Sequence, residues 1–155
     1  MQFQSSQAID ERIDSATVKR PLTDAINAAN VALNYYELAP GDSFVYGYHM
    51  HENQEELFVI QEGRVTFETE DGEVVVTAGD VVRFAPGEYQ QGINRADERV
   101  VALAIGAPQE TSGSEILRDC DACGERTPNT VERAQDGQAK ITRCLECGNK
   151  TGRFD

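Results

Sequence analysis

Residues 41–63 read GDSFVYGYHMHENQEELFVIQEG, and this stretch decides the expected fold. It contains two β-rich runs joined by a short polar turn, and a glycine bounds it at each end. The two histidines of the protein, His49 and His51, lie two residues apart on the first run. Because side chains alternate between the two faces of a strand, both imidazoles are expected to point the same way.

Short β-rich runs and turn signals continue on both sides of this stretch, and no segment keeps a helical period. Asp71-Gly72 is the strongest turn signal, because this pair is typical of a two-residue hairpin. The predicted strands are 31–38, 44–51, 57–61, 65–69, 73–77, 80–84 and 100–105. Closely spaced antiparallel strands predict an all-β sandwich or barrel, with one helical turn within residues 21–30.

The histidine pair is followed by an acidic residue that opens the next predicted strand, Glu56. Two neutral imidazoles and one carboxylate from adjacent strands form a three-ligand site suited to Fe, Mn, Ni, Cu or Zn, with open positions for a substrate. Two surface histidines beside an acidic loop are the alternative.

Strand alternation also predicts which side chains surround the histidines. If His49 and His51 point inward, every second residue before them and after Glu56 does so too, which predicts an apolar pocket with a metal at one end. The predicted pocket residues are Val45, Gly47, Phe58, Ile60, Phe84 and Asn94.

All four cysteines lie in two C-x-x-C-G units separated by 20 residues: Cys120, Cys123, Cys144 and Cys147. Each unit permits a tight knuckle whose backbone amides point toward the thiolates. Four thiolates form the closed tetrahedral arrangement of structural zinc. A disulfide-linked tail, which needs an oxidising compartment, and a dithiol redox couple are the alternatives.

The segment that precedes the cysteines, GAPQETSGS at residues 106–114, is small and polar, as is typical of a linker. The residues after it have too few large apolar side chains for a core, so bound metal must replace one. We expect an N-terminal arm (1–20), a barrel (21–107), a linker (108–116) and a zinc-binding tail (117–155) whose folding leaves the barrel site unaffected.

These motifs resemble those of the cupin family over about residues 31–103. The first cupin motif is matched by Gly41, His49-Met50-His51, Glu56 and Gly63, and the second by Gly79, Pro86-Gly87 and Asn94. The resemblance implies a double-stranded β-helix, or jelly-roll barrel. The tail resembles a rubredoxin-like zinc ribbon, and the whole chain is similar to small haloarchaeal cupins with a cysteine-rich tail.

The resemblance also assigns individual ligands. Glu56 is favoured over Glu55 because it keeps the family's spacing before Gly63. Where the second motif normally supplies another histidine, this chain has Gln90. A glutamine carbonyl is a neutral and weaker ligand, so Gln90 is expected to bind the metal loosely, orient water or contact the substrate.

Charge is distributed unevenly along the chain, whose net charge is −13. Residues 1–117 carry 7 basic and 20 acidic side chains, whereas residues 118–155 carry 7 of each. This balance argues against nucleic-acid binding, and no apolar run approaches the ~20 residues of a membrane span. We expect a soluble cytoplasmic protein, and a halophilic host explains the acidity, with an ordinary acidic mesophile protein as the alternative.

Two classes of function fit these features. The resemblance implies either an enzyme, such as a cupin dioxygenase, isomerase or lyase acting on a small molecule, or a non-catalytic sensor that binds a small ligand. Tyr89 and Glu88 are the candidates for a general base. A homodimer is expected in both cases, and the ribbon is expected to contact a protein partner in the second.

The acidic barrel predicts that salt stabilises the protein. The thermal midpoint, measured by calorimetry, should rise steadily from low to molar KCl, because screening weakens repulsion among the 20 carboxylates of residues 1–117. A midpoint that does not change with KCl would contradict the halophilic interpretation.

Overall fold

The computed structural model describes residues 1–155, which form thirteen strands and two short 3₁₀ turns. The strands are β1 (Val18–Pro21), β2 (Ala32–Leu38), β3 (Tyr48–His51), β4 (Glu55–Glu62), β5 (Arg64–Thr69), β6 (Gly72–Thr77), β7 (Val81–Phe84), β8 (Gln90–Ile93), β9 (Val100–Ala107), β10 (Ser114–Cys120), β11 (Glu125–Arg133), β12 (Lys140–Cys144) and β13 (Lys150–Phe154). The 3₁₀ turns are Ser6–Ala8 and Asp24–Ile26, and the second lies where a helical turn is predicted. No helix of the protein has the length and apolar character needed to cross a membrane.

The strands form two antiparallel sheets. One has the order β1-β2-β9-β4-β7, and the other has the order β13-β12-β11-β10-β3-β8-β5-β6. All seven predicted strands are present. The strand predicted at 44–51, which carries both histidines, is shorter than predicted, because residues 44–47 bend out of the sheet before β3 begins. The all-β prediction is confirmed.

Aromatic side chains from both sheets fill the barrel. Phe44 packs on Phe58 with ring centroids 4.6 Å apart, and Phe58 lies 5.1 Å from Phe67, which lies 5.3 Å from Phe84. Gly92 lies between two of these rings, where a Cβ atom would come within 2.6 Å of Phe67 and 2.7 Å of Phe44. The barrel centre is therefore a packed aromatic core.

The predicted linker differs from the observed structure. Ser114 to Ile116 belong to β10, which pairs with β3 in the order Ser114↔His51, Glu115↔Met50, Ile116↔His49. A polar composition predicts a loop, but here the open edge of β3 offers these residues backbone hydrogen bonds. The tail therefore continues the barrel's own sheet.

The N-terminal arm docks on its own barrel through β1, which pairs with β2. Asp14 is buried and accepts a 2.7 Å bond from the ammonium of Lys19, while its other oxygen accepts a 2.8 Å bond from the backbone N–H of Ser15. Arg20 and Glu11 make a second ion pair at 2.8 Å, with the Glu11 side chain 52% exposed.

Breaking each of these two ion pairs is expected to lower the free energy of unfolding by a different amount. Asp14→Asn should lower the free energy of unfolding by about 1–3 kcal/mol, because it leaves the largely buried Lys19 ammonium without a charged acceptor. Glu11→Gln is the matched control and should cost less than about 1 kcal/mol, because the Glu11 carboxylate is 52% exposed and already solvated. Urea unfolding with an unchanged slope measures both, and equal costs would show that the buried pair does not hold the arm.

Candidate metal centres

The first candidate centre joins the two histidines of β3 to a carboxylate of β4. Glu56 Oε2 lies 3.4 Å from His49 Nε2 and 3.6 Å from His51 Nε2. His49 is 2% exposed, so the group faces the protein interior. Although burial alone would raise it, the hydrogen bonds and charges of the two histidines lower the pKa of Glu56 to about 2. The carboxylate is therefore anionic, as a metal ligand must be.

Gln90 of β8 completes the cluster from the other side. Its Nε2 atom lies 2.9 Å from Glu56 Oε2 and 3.2 Å from His49 Nε2, because Gln90 is the register partner of His49. Its Oε1 atom is buried and has no hydrogen-bond partner. Since the two amide ends are interchangeable by rotation, the amide can direct its oxygen at the same point as the other three side chains.

These separations suit a bound metal. Ligands at about 2.1 Å from an ion lie about 3.0 Å apart at octahedral angles and about 3.4 Å apart at tetrahedral angles. The three ligand atoms of His49, His51 and Glu56 all lie within 4.8 Å of one another. Two imidazoles, a carboxylate and a buried amide without a partner for its oxygen are a donor set that fits a divalent transition metal.

The opposite ring nitrogen of each histidine has its own partner. His49 Nδ1 lies 3.3 Å from the carbonyl oxygen of Gly47, and His51 Nδ1 lies 2.6 Å from Ser114 Oγ. A carbonyl oxygen can only accept, so the Gly47 contact favours a proton on His49 Nδ1 and leaves the Nε2 lone pair free for a metal. The Ser114 hydroxyl can accept from His51 Nδ1 in the same way. Sequence patterns did not indicate Ser114, because it lies in the segment expected to be a linker.

A narrow cavity adjoins the cluster, and in this structure it has no free space for a water molecule. Its lining residues are His49, Met50, His51, Gln54, Glu56, Phe84, Ala85, Glu88 and Gln90. No lysine or arginine is among them. Phe84 and Glu88 also line a neighbouring groove, which contains Glu70, Asp71 and the Arg83 side chain.

Of the six predicted pocket residues, Phe84 alone lines this cavity. Phe58 and Ile60 belong to the barrel core, and Val45 packs against that core. Asn94 is fully buried and donates to the carbonyl oxygens of Leu38 and Glu98. Gly47 faces β10, where a Cβ atom would lie 2.7 Å from the carbonyl oxygen of Leu117. These residues do not form the expected apolar pocket, because aromatic rings fill the barrel centre and the bend at residues 44–47 interrupts the alternation.

The two candidate bases differ in availability. The hydroxyl of Tyr89 donates to Glu115 of β10. Burial and the bond to Glu115 raise the pKa of Tyr89 to about 12, so the phenol stays protonated at neutral pH. Glu88 lines the cavity and accepts a bond from the backbone N–H of Ala85. Glu55 and Arg83 form an exposed ion pair.

The second candidate centre is the cysteine cluster. Cys120 Sγ lies 3.5 Å from Cys147 Sγ, and Cys123 Sγ lies 3.8 Å from Cys144 Sγ. Four sulfurs at about 2.3 Å from one tetrahedral zinc ion lie about 3.8 Å apart, whereas a disulfide bond is about 2.05 Å long. All four cysteines are free. The cluster therefore fits a small zinc ribbon.

Each C-x-x-C-G unit closes in a tight turn. The backbone N–H of Gly124 donates to Cys120 O at 2.8 Å, and that of Gly148 donates to Cys144 O at 2.9 Å. Both glycines have positive φ, +74° and +76°, which a side chain would strain. Thr127 Oγ1 lies 3.1 Å from Cys144 Sγ, and this hydrogen bond lowers the pKa of the Cys144 thiol to about 6.

Comparison with known proteins agrees with this architecture. Residues 34–106 match the model of the cupin domain, Cupin_2. A sugar phosphate isomerase of the cupin superfamily from Silicibacter pomeroyi superposes with a TM-score of 0.62 at 20% identity, over 99% of this chain and 91% of that chain. The fold is that of a small cupin. Because the superposition covers almost the whole chain, it includes the strands that follow the cupin barrel.

Two further structures share the cupin fold. The polyketide cyclase RemF from Streptomyces resistomycificus has a TM-score of 0.63 at 19% identity, over 78% of this chain and 88% of that chain. A Cupin 2 conserved barrel domain protein from Salinispora arenicola has a TM-score of 0.57 at 24% identity, over 69% and 88% of the two chains. No curated protein sequence is significantly similar to this chain. The expected similarity to haloarchaeal cupins stays a prediction.

The cluster geometry predicts the metal content of variants. His51→Ala and Glu56→Gln should each remove one metal equivalent per chain, because each deletes one of three converging ligands. Gln90→His should tighten binding by replacing a neutral oxygen ligand with an imidazole. Elemental analysis and metal titration measure these effects.

Glu55→Gln is the control for these variants, because Glu55 is adjacent in sequence but pairs with Arg83. Unchanged stoichiometry in His51→Ala would contradict the assignment. Unchanged affinity in Gln90→His would place that side chain away from the ion.

Proposed function

We propose that this cupin is a metal-dependent enzyme that acts on a small molecule, with oxidoreductase chemistry of the dioxygenase type. The observation that carries the proposal is the one-sided arrangement of the donors. His49 and His51 on β3 and Glu56 on β4 converge from strands of two different sheets, and their side chains border the narrow cavity. The remaining coordination positions face this cavity, which must widen before a ligand can bind there.

The residues around the centre have separable roles in this proposal. Iron(II) or another divalent transition metal held by His49, His51 and Glu56 would supply redox and Lewis-acid chemistry. Gln90 fixes the carboxylate of Glu56 through a 2.9 Å hydrogen bond and presents an amide to the ion. Glu88 is the carboxylate placed to accept a proton from a ligand in the cavity, because Tyr89 is bound to Glu115.

The charge of the cavity restricts the ligand. The cavity has no cationic side chain, and Arg83 of the adjoining groove is neutralised by Glu55. Glu70, Asp71 and Glu88 add negative charge beside it. Three carboxylates at the mouth of a narrow site repel anions, so we propose a small, neutral or cationic ligand. The Silicibacter pomeroyi isomerase, by contrast, is named for a phosphorylated sugar.

The cysteine cluster is proposed to hold a structural zinc ion. Four protein ligands leave no position for a substrate, and structural zinc supplies on the order of 10 kcal/mol of apparent binding free energy. The buried residues of the tail are small: Cys120, Thr127, Asn129, Ala134, Ala139, Thr142 and Cys144. Such side chains cannot offset the ordering entropy of the segment without bound metal.

A non-catalytic ligand-binding role is the second candidate. It is favoured by the lack of free space for a water molecule in the cavity and by the engagement of Tyr89 with Glu115. The homodimer and the protein partner of the ribbon expected from the sequence stay predictions.

Nitric oxide binding distinguishes the two roles. Protein loaded with iron(II) under anaerobic conditions should give the half-integer-spin electron paramagnetic resonance signal of an iron–nitrosyl adduct, because open positions face the cavity. The signal should be absent in His51→Ala and Glu56→Gln and unchanged in the control Glu55→Gln. If iron binds without forming this adduct, dioxygenase-type chemistry would be excluded and the non-catalytic ligand-binding role would be favoured.

The proposed ligand charge is tested on the same sample. A small neutral hydroxyketone should perturb the nitrosyl signal at millimolar concentration, whereas inorganic phosphate should not. Glu70→Gln with Asp71→Asn should reduce the discrimination against phosphate, because it removes two of the three carboxylates beside the cavity. Equal perturbation by both probes in the unmodified protein would contradict the proposed ligand class.

A further inference from the structure

Strand β10 connects the two candidate centres directly. Its first residue, Ser114, contacts His51 of the barrel centre, and its last residue, Cys120, belongs to the cysteine cluster. Six residue steps of about 3.3 Å place the two ends about 20 Å apart on one continuous strand. The sequence predicts that the barrel and the tail are independent, and this continuous strand gives a physical reason to test that prediction.

At the barrel end, Ser114 supports His51 through a single contact. The two residues are register partners, so their side chains leave the sheet on the same face. The 2.6 Å bond between Ser114 Oγ and His51 Nδ1 is the contact that the ring makes on the side away from Glu56. Loss of such an outer partner typically weakens metal binding about 10–100-fold.

At the other end, the order of β10 depends on the cysteine cluster. β10 has two neighbours in the sheet, β3 of the barrel and β11 of the tail. β11 pairs in turn with β12, and β12 pairs with β13, and this group buries no large apolar side chain. Without a metal on the thiolates, β10 keeps one paired edge and loses the other.

The joint between β10 and β3 is close enough to transmit this change. A Cβ atom on Gly47 would lie 2.7 Å from Leu117 O and 2.9 Å from Arg118 Cγ, so the backbones meet without a gap. The guanidinium of Arg118 donates to the carbonyl oxygen of Tyr46 and also to that of Thr151 in β13. One side chain therefore ties the last strand of the tail to the residues just before β3.

We propose that β10 couples the two centres: Ser114 is a positioning residue for His51, and metal binding by the four cysteines raises the affinity of the barrel for its own metal. The proposal rests on the metal centres proposed above. Because coupling between two binding equilibria is reciprocal, metal in the barrel raises the affinity of the cysteines by the same factor.

The test measures manganese affinity of the full chain. One equivalent of zinc fills the soft thiolate site, and Mn²⁺, which prefers nitrogen and oxygen ligands, is then titrated by electron paramagnetic resonance. Ser114→Ala should raise the dissociation constant for Mn²⁺ about 10–100-fold, and Ser114→Thr, which keeps the hydroxyl, should restore it. The matched control is Ser112→Ala, whose hydroxyl contacts Glu52 and no metal ligand.

The cysteine end is tested in the same way. Cys123→Ser with Cys147→Ser should weaken Mn²⁺ binding about 5–150-fold, and Leu145→Ala, an exposed non-ligand in the same knuckle, should not. Ser114→Ala should raise the dissociation constant for Mn²⁺ by a smaller factor in the double cysteine variant than in the unmodified protein, because both changes act through His51. An unchanged dissociation constant in the cysteine variant would overturn the coupling.

A second measurement needs no substitution. Saturating Mn²⁺ should slow the loss of zinc from the unmodified protein to a zinc-selective chelator, and zinc release that ignores Mn²⁺ would overturn the coupling even if the variants misfold. If zinc-loaded protein binds no Mn²⁺ or other divalent transition metal at the barrel, the proposed enzyme function fails and the coupling fails with it. If Mn²⁺ binds with equal affinity to all variants, the proposed coupling is wrong but the proposed enzyme function is not affected.

Discussion

The pairing of β3 on both of its edges is the constraint on which the rest of the structure depends. This strand has only four residues, Tyr48–His51, yet it carries both histidines. Its pairing with β8 brings Gln90 beside His49, and its pairing with β10 brings Ser114 beside His51. An isolated strand of this length has no stable conformation, so the orientation of both imidazoles is set by neighbours that lie far along the chain.

Local spacing was sufficient to predict the groups that converge within each centre. The H-x-H pattern with Glu56 and the two C-x-x-C-G units describe side chains that short turns bring together, and all seven lie in the two clusters found. The alternation rule failed at Val45 and Gly47 because residues 44–47 leave the ladder. It also gave no information on volume, since the same apolar residues that can line a pocket can equally fill it.

The long-range pairing of β10 could not be predicted from composition. Residues 106–114 are small and polar, and whether such a segment is a loop or a strand depends on the edge that it meets. Ser114 lies 63 residues after His51, so no short motif connects them. Close packing requires glycine at residue 47 for the same long-range reason, because the atoms that exclude a Cβ belong to β10.

The barrel and the tail differ in their balance of charged side chains. In the tail, Arg143 pairs with Glu132, and Arg153 pairs with Asp136 and Asp155, so acidic side chains neutralise part of the basic charge. The barrel has an excess of carboxylates, and those near the metal cavity face a site without cations.

The order of synthesis gives the pairing of β10 with β3 one further consequence. A ribosome releases His49 and His51 early, Gln90 next and Ser114 only near the end, so a nascent cupin barrel can collapse around its aromatic core while the β3 edge stays unpaired. The support of His51 by Ser114 is therefore completed late in biosynthesis, after the residues of the barrel have emerged.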